Sequence, residues 1–476
     1  NHQRRNTITI KTDNNTVYKY TFGEVYVTKP CIIDENRIFR KTTPIEARFK
    51  DFTYEGNILV DIHIDVLTDD NVIVDSEIIR KFQLTKMPIM LGCNRCTLVD
   101  KLITPTQLTL NSQVYNDNYG ECFFEPGGYF IIKGKERVLI SQERANYNTV
   151  ISSFADDENS VYSEIRSISY ETGHSALTEC ILLNGGNSFV FIIPYINQKI
   201  PIGIIFQIMG IANEQLLDLL CPNYLMDTMD PLIKIKWKRM IVNAIKETKF
   251  IETREETIDY LTQFILHTTD NPKAYVTQVL ECEIFPHFGC SPKKKDYVWM
   301  LSYIVIHTMM VYFKIITPDN KDHLVNKRIE CAGTLLHDLF RTSFKRFVRS
   351  LVPYLQKYQN IQHVIQRVNN IYKDIRYCFL TGNWGLQKNN YVKTGVSQIF
   401  SRLSYIASLS HLRRLNMHIG KEVKNSELRQ IHQSSIFYID PAETPEGVSV
   451  GIVKNLAANR FHHHICLYHL CSPCAR

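Results

Sequence analysis

The sequence predicts a multidomain α+β protein, on three observations. Its first 150 residues alternate apolar and polar in steps of two; the next 180 mix such runs with stretches patterned at helical spacing; and 476 residues are too many for one simple core, so two to four domains are expected. A hydrophobic share of 44% and a charged share of 22% are those of a folded globular chain.

NTITIKT, NTVYKYTFGEVYVTK and ILVDIHIDVL read as strands, β-branched and aromatic residues alternating with polar ones and divided by Asn, Asp and Gly. Between Gly120 and Asn148, Gly127 and Gly128 supply a tight turn, YFII a short buried strand, Lys133-Gly134 a second turn, and VLI the antiparallel partner. From about Ile151 to Ala332, strands in ECILLNGGNSFVFIIPYI precede helices in IGIIFQIMGI, NEQLLDLL, ETIDYLTQFILHTT, PKAYVTQVLECEIFPHF and DYVWMLSYIVIHTMMVYFK. This stretch reads as a separate α+β unit inserted after the first. Gly333 to Tyr358 is an amphipathic helix with Leu335, Leu339, Phe344, Phe347 and Leu351 on one side and Arg341, Lys345, Arg346 and Arg349 on the other. Its basic face suits a phosphate chain or water alike. From Thr381 onward, turns surround one expected helix, SQIFSRLSYIASLSHLRR, and an acidic loop, Asp440 to Gly451.

No apolar run approaches the roughly 18 residues that span a bilayer, so no membrane partner is expected. Thirteen cysteines are scattered singly through apolar runs, the pattern of reduced thiols in a cytosolic or nuclear setting. The chain starts at Asn1 with no signal-peptide pattern, and reads as a piece of something longer. The net charge of +7 is unevenly placed: residues 333–476 hold 19 Lys and Arg against 7 Asp and Glu, and the rest 36 against 41. A polyanion partner for the last third is one reading, a solvated basic face the other.

Self-sufficient catalysis is not expected. There is no phosphate-binding GxxxxGK[ST], no HExxH, no GxSxG and no Asp-rich metal triad, so the catalytic set is empty and no metal ligand is assigned. Asp69-Asp70 and Asp156-Asp157 are adjacent pairs in turn-like contexts whose carboxylates point to solvent. Cys93 and Cys96 have the spacing of half a zinc site, but the other half is missing, and they read as buried structural thiols. The terminal His462, His463, His464, Cys466, His469, Cys471 and Cys474 follow an abrupt change of composition. They read as an unrelated extension or frame artefact ahead of a zinc site.

The informative region is Lys388 to Arg429. Lys388, Lys393, Arg402, Arg413, Arg414, Lys421, Lys424 and Arg429 face only Glu422 and Glu427, interleaved with Gln398, Ser401, Ser404, His411 and Asn416. Cations, amides and hydroxyls together are what phosphate and ribose contacts require. A helix here would put Gln398, Arg402 and Tyr405 about one turn apart beside a strand of nucleic acid, with Ile399, Leu403, Ile406 and Leu409 buried. In the acidic loop, Pro441 and Pro445 stiffen the backbone, Gly447 and Gly451 let it turn, and Glu443 and Glu446 are expected to orient the nearby arginines.

These residues carry a resemblance. LRRLNMHIG…RQIHQSSIFYIDPAETPEGVSVGIVKNLA resembles the fork of the second-largest subunit of multisubunit DNA-directed RNA polymerases, the counterpart of bacterial β. Its hallmark is a CPAETPEG-type loop after RxxH and before GLVKNL; Asp440 replaces the Cys and Ile452 the Leu. MPIMLGCNRC, GGYFIIKGKERVLISQERANYN, IPIGIIFQIMGI, DHLVNKRIECAGTLLHDLF and TGNWGLQKNNYVKTGVSQIFSRLSYIASLSHLRR have family equivalents in the same order, from about residue 80 to residue 457. The eukaryotic, archaeal and large-DNA-virus type fits better than the bacterial one.

The resemblance implies an α+β chain in which residues 1–152 and 333–384 form a protrusion, 153–332 an inserted lobe, 385–457 the fork, and 458–476 an atypical tail. It implies DNA-templated RNA synthesis, with the fork holding DNA and the RNA–DNA hybrid beside the active centre. Gln398, Arg413 and Arg414 correspond to hybrid-facing positions, joined by Arg402 from the residue reading. Arg429, His432, Glu443, Glu446 and Gly447 correspond to the fork loop near the incoming nucleotide. Mg2+ is implied to be held mainly by the largest subunit and not here. The implied partners are that subunit, other polymerase subunits, template DNA, nascent RNA and initiation factors. The implied location is the nucleus, or a virion and host cytoplasm. The family's hybrid-binding domain, wall, anchor and zinc-bearing clamp segment are expected beyond this chain. The alternative is a catalytically inactive nucleic-acid-binding protein that retains the fold.

Overall fold

A computed structural model describes residues 7–11, 17–33, 39–67, 73–98, 121–122, 124–155, 160–183, 188–248, 253–265, 271–289, 294–358, 360–385, 392–418 and 426–457. Asp69-Asp70, Asp156-Asp157, Lys388, Lys421, Glu422, Lys424 and the His/Cys-rich stretch from His462 onward lie outside them. The fold mixes helices with several small sheets. It divides into two units, one made of Asn1–Arg144 and Ile329–Arg476, the other of Ala145–Arg328.

In the first unit the alternating segments form an antiparallel sheet in the order β1 (Thr7–Lys11), β2 (Val17–Val27), β3 (Glu55–Leu67) and β4 (Ile73–Pro88). The predicted hairpin follows as β5 (Phe130–Ile132) and β6 (Lys135–Leu139), paired Phe130 to Arg137, with Lys133 at φ 48° and Gly134 at φ 71° in the turn. A side chain at 134 would meet Asp51 Oδ1 at 2.3 Å and Arg48 O at 3.0 Å, so glycine is required by space as well as by φ. β7 (Ser141–Ala145) ends this stretch.

The second unit holds an antiparallel sheet, β8 (Val150–Phe154) to β12 (Ile200–Pro201), with β9 (Val161–Ile168), β10 (Ser175–Leu183) and β11 (Ser188–Ile192) in sequence order between them. Inward residues such as Val161, Ile165, Cys180, Leu182 and Phe191 bury against helices. These include α1 (Ile202–Ile208), α2 (Asn213–Leu220), α3 (Pro231–Glu247) and α4 (Lys294–Tyr312).

The chain returns to the first unit through α5 (Ala332–Lys357), the expected amphipathic helix. Leu335, Leu339, Phe347 and Leu351 are buried, and Phe344 meets Phe22 of β2 edge-on at 5.8 Å. On its other side Arg341 pairs with Asp338 at 2.7 Å and Arg346 with Asp374. α6 (Ile361–Val368) and α7 (Ile371–Thr381) complete this core. Cys93 and Cys96 lie within it, Cys96 Sγ 3.3 Å from Tyr54 Oη. Among the described residues no helix is long and apolar enough to cross a membrane.

Candidate nucleic-acid interface

The segment expected as one helix is three structures. Ser397–Ile399 is a strand, β13, added to the hairpin with Gln398 opposite Val138. Phe400 then stacks on Tyr129 at 4.7 Å and its N–H donates to Glu136 O at 3.0 Å, which keeps the chain extended. Helix α8 covers only Tyr405–Leu412, started by Ser404, whose Oγ accepts from Ala407 N at 3.1 Å. Gln398, Arg402 and Tyr405 therefore share no helical face, a correction to the periodicity reading. The burial is corrected too: Ile399, Leu403 and Ile406 are 64%, 94% and 78% exposed, while Ser408 and His411 face inward. Polar groups direct this packing. Ser408 Oγ donates to Ser401 O at 2.7 Å, and Ser401 N donates to His411 Nδ1 at 3.1 Å. With Nδ1 accepting, Nε2–H donates to Gln398 Oε1 at 3.0 Å, and the Gln398 amide donates to Gly395 O at 3.0 Å. Burial, and then the nearby Arg414 guanidinium, push the His411 pKa down to about 4, so the ring is neutral.

Arg402 is held by the protein itself. Its guanidinium donates to Glu136 at 2.7 and 2.8 Å, to Glu125 at 3.0 and 3.1 Å and to Tyr129 Oη at 2.9 Å, and lies 4.6 Å from the Phe400 ring centre. Arg48 joins the same cluster through Glu121 at 2.6 Å, Glu136 at 2.7 Å and Tyr129 Oη at 2.6 Å. Burial opposes the charge on Arg402, but its hydrogen bonds to Glu136 and Glu125 outweigh that and hold its pKa above the ordinary arginine value. Burial likewise opposes the Glu136 charge, and Arg402 and Arg48 bring its pKa below the usual carboxylate value. Glu121, more deeply buried, goes the other way, its pKa raised by burial despite Arg48. Tyr129 is fully buried between the arginines, and burial raises its pKa.

Three further cations are engaged in a similar way. Lys393 and Arg144 share the buried Glu330, and Lys454 reaches the buried Glu143 at 3.0 Å. These carboxylates stand far from the cations in sequence, which is why a local count missed them.

The acidic loop is stiff, but not through its glutamates. Asp440 Oδ1 accepts from Ala442 N at 2.9 Å and Glu443 N at 3.2 Å, the turn that an Asp before Pro favours. Thr444 Oγ1 donates to Val453 O and accepts from Gly451 N, both at 3.0 Å, and Asn455 Nδ2 donates to Glu443 O at 3.1 Å. Arg429 Nη1 donates to Val448 O at 2.7 Å and Val450 O at 2.9 Å, and Gly451, at φ 70°, passes so close that a Cβ would sit 2.2 Å from Arg429 O. Glu443 instead accepts from Ser410 Oγ, and the Glu446 carboxylate pairs with no described residue. The expected bracing of arginines by Glu443 and Glu446 is thus replaced by bracing from carbonyls, Asp440, Thr444 and Asn455.

Beyond the loop, β14 (Arg414–Met417) pairs antiparallel with β15 (Val453–Asn455) and parallel with β7. Arg413 Nη2 donates to Leu456 O at 2.7 Å. Arg414 Nε is buried without a hydrogen-bond partner, and its guanidinium makes no hydrogen bond or ion pair among the described residues. His432 Nδ1 accepts from Ser434 N at 3.2 Å, and Gly447 sits at φ 82° with open space around it. The site thus joins Arg413, Arg414, Arg429 and the loop through one strand pair, and offers cations and the Glu446 carboxylate. Ser434 Oγ lies 2.7 Å from His432 Nδ1, a contact that closes a short turn at Gln433–Ser435. No cluster of three His, Cys, Asp or Glu that could hold a metal is found among the described residues.

A family model described as RNA polymerase beta subunit matches residues 1–374, and one described as RNA polymerase Rpb2, domain 3, matches residues 398–460. The chain is 32% identical over 469 residues to DNA-directed RNA polymerase II subunit 2 of Arabidopsis thaliana, covering 93% of this chain and 38% of that protein. It is 33% identical over 485 residues to a probable DNA-directed RNA polymerase II subunit RPB2 homolog of Invertebrate iridescent virus 6, covering 92% and 38%. With DNA-directed RNA polymerase subunit Rpo2 of Saccharolobus solfataricus the identity is 28% over 447 residues, covering 92% and 37%. The chain therefore spans a little over a third of the length of these relatives.

Proposed function

Because this chain belongs to the RNA polymerase beta-subunit family, we propose that it is the amino-terminal portion of the second-largest subunit of a DNA-directed RNA polymerase. In this reading it holds DNA and the RNA–DNA hybrid next to an active centre built with the largest subunit. Residues 1–152 and 333–384 serve as protrusion, 153–332 as lobe and 385–457 as fork. Partners are the other polymerase subunits, template DNA, nascent RNA and initiation factors, in a nucleus or in a virion and host cytoplasm.

The magnesium ion that the family implies supplies charge neutralisation at the transferred phosphate. Among the described residues no group of three His, Cys, Asp or Glu is placed to hold a metal, and no step is assigned to a metal held here. What this chain contributes is positioning and electrostatics.

The observation that carries the reading is Arg414, a part-buried guanidinium without a hydrogen bond among the described residues, on a strand fixed on both sides. A phosphate or 2′-hydroxyl satisfies it. Gln398, Arg402 and Arg413 act by holding that frame, and Arg429, His432, Glu443, Glu446 and Gly447 form the loop that meets the nucleotide end. The test is elongation on an RNA–DNA hybrid scaffold by the complete enzyme carrying Arg414→Ala. Slower nucleotide addition with intact subunit assembly is expected, and an unchanged rate overturns the assignment.

A further inference from the structure

The unit Ala145–Arg328 carries a groove of about 730 Å³, remote in sequence from the acidic loop. One wall is a ridge of α4 in which Lys295, Trp299, Tyr303 and His307 follow one another every fourth residue, and the facing wall includes Tyr224 and Leu225. Side chains four apart are neighbours on a helix and form a continuous ridge inclined to its axis, about 18 Å long along that axis.

α4 has no polar face to offer to water. Leu301, Ile304, Val305 and Met309 are fully buried on its sheet side, yet its outer side presents Trp299 at 63% and Tyr303 at 41% exposure. The two rings stack on each other at 5.6 Å with planes 13° apart. A helix apolar all round belongs in an interior, and here one side lacks its cover. His307, at the end of the ridge, is fixed through Nδ1 and Ser152 Oγ at 2.7 Å, so that wall is rigid. Among the described residues lining the groove, Lys295 is the one that is charged, and none is acidic.

We propose that this groove receives an amphipathic α-helix of a partner protein, about three turns long, with apolar side chains packed between Trp299–Tyr303 and Tyr224–Leu225 and an acidic residue facing Lys295. A ridge of residues four apart is the surface that packs into the groove of a second helix crossing it. A strand is disfavoured because this ridge belongs to a helix, whose backbone offers no free edge to pair with. Lys295, with no acidic residue among the described lining, sets the sign of the partner's charge. The inference is independent of the polymerase reading.

Trp299 is its own reporter, since Trp237 and Trp384 are 0% and 5% exposed. The experiment titrates the full chain with a stapled helical peptide carrying leucines at i, i+3, i+4 and i+7 and a terminal glutamate, and with its Glu→Lys twin. The expected result is a blue shift of tryptophan emission, protection of Trp299 from acrylamide, and about fivefold tighter binding of the glutamate peptide. In Lys295→Glu, an exposed substitution whose melting temperature stays at the parent value, the preference reverses. Absence of a Trp299 response to both peptides, or an unchanged preference in Lys295→Glu, overturns the proposal. So does protection that grows with protein concentration alone and sediments as a dimer, which assigns the groove to a second copy. Protection by anilinonaphthalene sulfonate that the peptide fails to displace assigns it to a small aromatic anion instead, and overturns the proposal equally.

Discussion

Arg402 and Glu136, 266 residues apart in sequence, form a two-point pair, Nε to Oε2 at 2.7 Å and Nη2 to Oε1 at 2.8 Å. The pair pins the segment before α8 to the β5–β6 hairpin, and through it sets where His411, Arg413 and Arg414 stand.

Arg402→Ala is expected to cost about 2 kcal/mol in denaturant unfolding, the scale of hydrogen bonds to charged groups, reduced because the guanidinium is partly exposed. A double-mutant cycle with Glu136→Gln is expected to show coupling that a cycle with the distant Glu446→Gln does not. Simple additivity in both cycles would contradict the latch.

Gly451→Ala is expected to destabilise by about 3 kcal/mol, since the methyl would enter the Arg429 carbonyl at a positive φ. Gly447→Ala, with open space around it, is expected to cost only about 1 kcal/mol of backbone strain. Urea titration of the two variants checks the order, and trypsin cleavage after Arg429 should accelerate in the first alone.

Arg414→Ala is expected to leave stability within about 0.5 kcal/mol. It should weaken binding to an RNA–DNA hybrid and lower the salt slope by about 1. Arg429→Ala removes donors to two loop carbonyls and is expected to cost about 2 kcal/mol of stability. Melting curves and salt-dependent binding isotherms separate the two arginines.

His411 has a folded-state pKa of about 4 against an ordinary 6.5. The unfolded chain therefore binds the extra proton between these values, and stability falls as pH drops from 6.5 towards 4. Above 6.5 the effect is absent, and below 4 its full size, about 3 kcal/mol, is reached. His411→Gln should remove about one proton from the uptake on unfolding in that window, measured by unfolding at stepped pH.

Much of the fold was legible where structure is local. The alternation in NTITIKT and ILVDIHIDVL became β1 and β3, Lys133-Gly134 became the hairpin turn, and the apolar stripe from Leu335 to Leu351 became the buried side of α5. The SQIFSRLSYIASLSHLRR segment misled because its helical spacing competed with tertiary pairing. Ser397–Ile399 completes a sheet whose other strands lie some 260 residues earlier, and Ser404 begins a new helix instead of continuing one. The cationic stripe misled in part for the same reason: Glu125 and Glu136 neutralise Arg402, and Glu330 neutralises Lys393, from afar. Asp440 before Pro441 was a visible local signal for the loop's brace, whereas the lack of a described hydrogen-bond partner at Arg414 is a property of the assembled sheet.

The separation of the glutamates at 121–143 from the cations at 402 and 454 has a consequence during biosynthesis. At about 5–20 residues per second, a ribosome completes Glu136 roughly 13–50 s before Arg402. Throughout that interval Arg48 is the only cation of the cluster available to Glu121, Glu125 and Glu136. Nascent chains halted before residue 402 should therefore show Tyr129 accessible to solvent, and its concealment should mark the moment the later segment emerges from the exit tunnel.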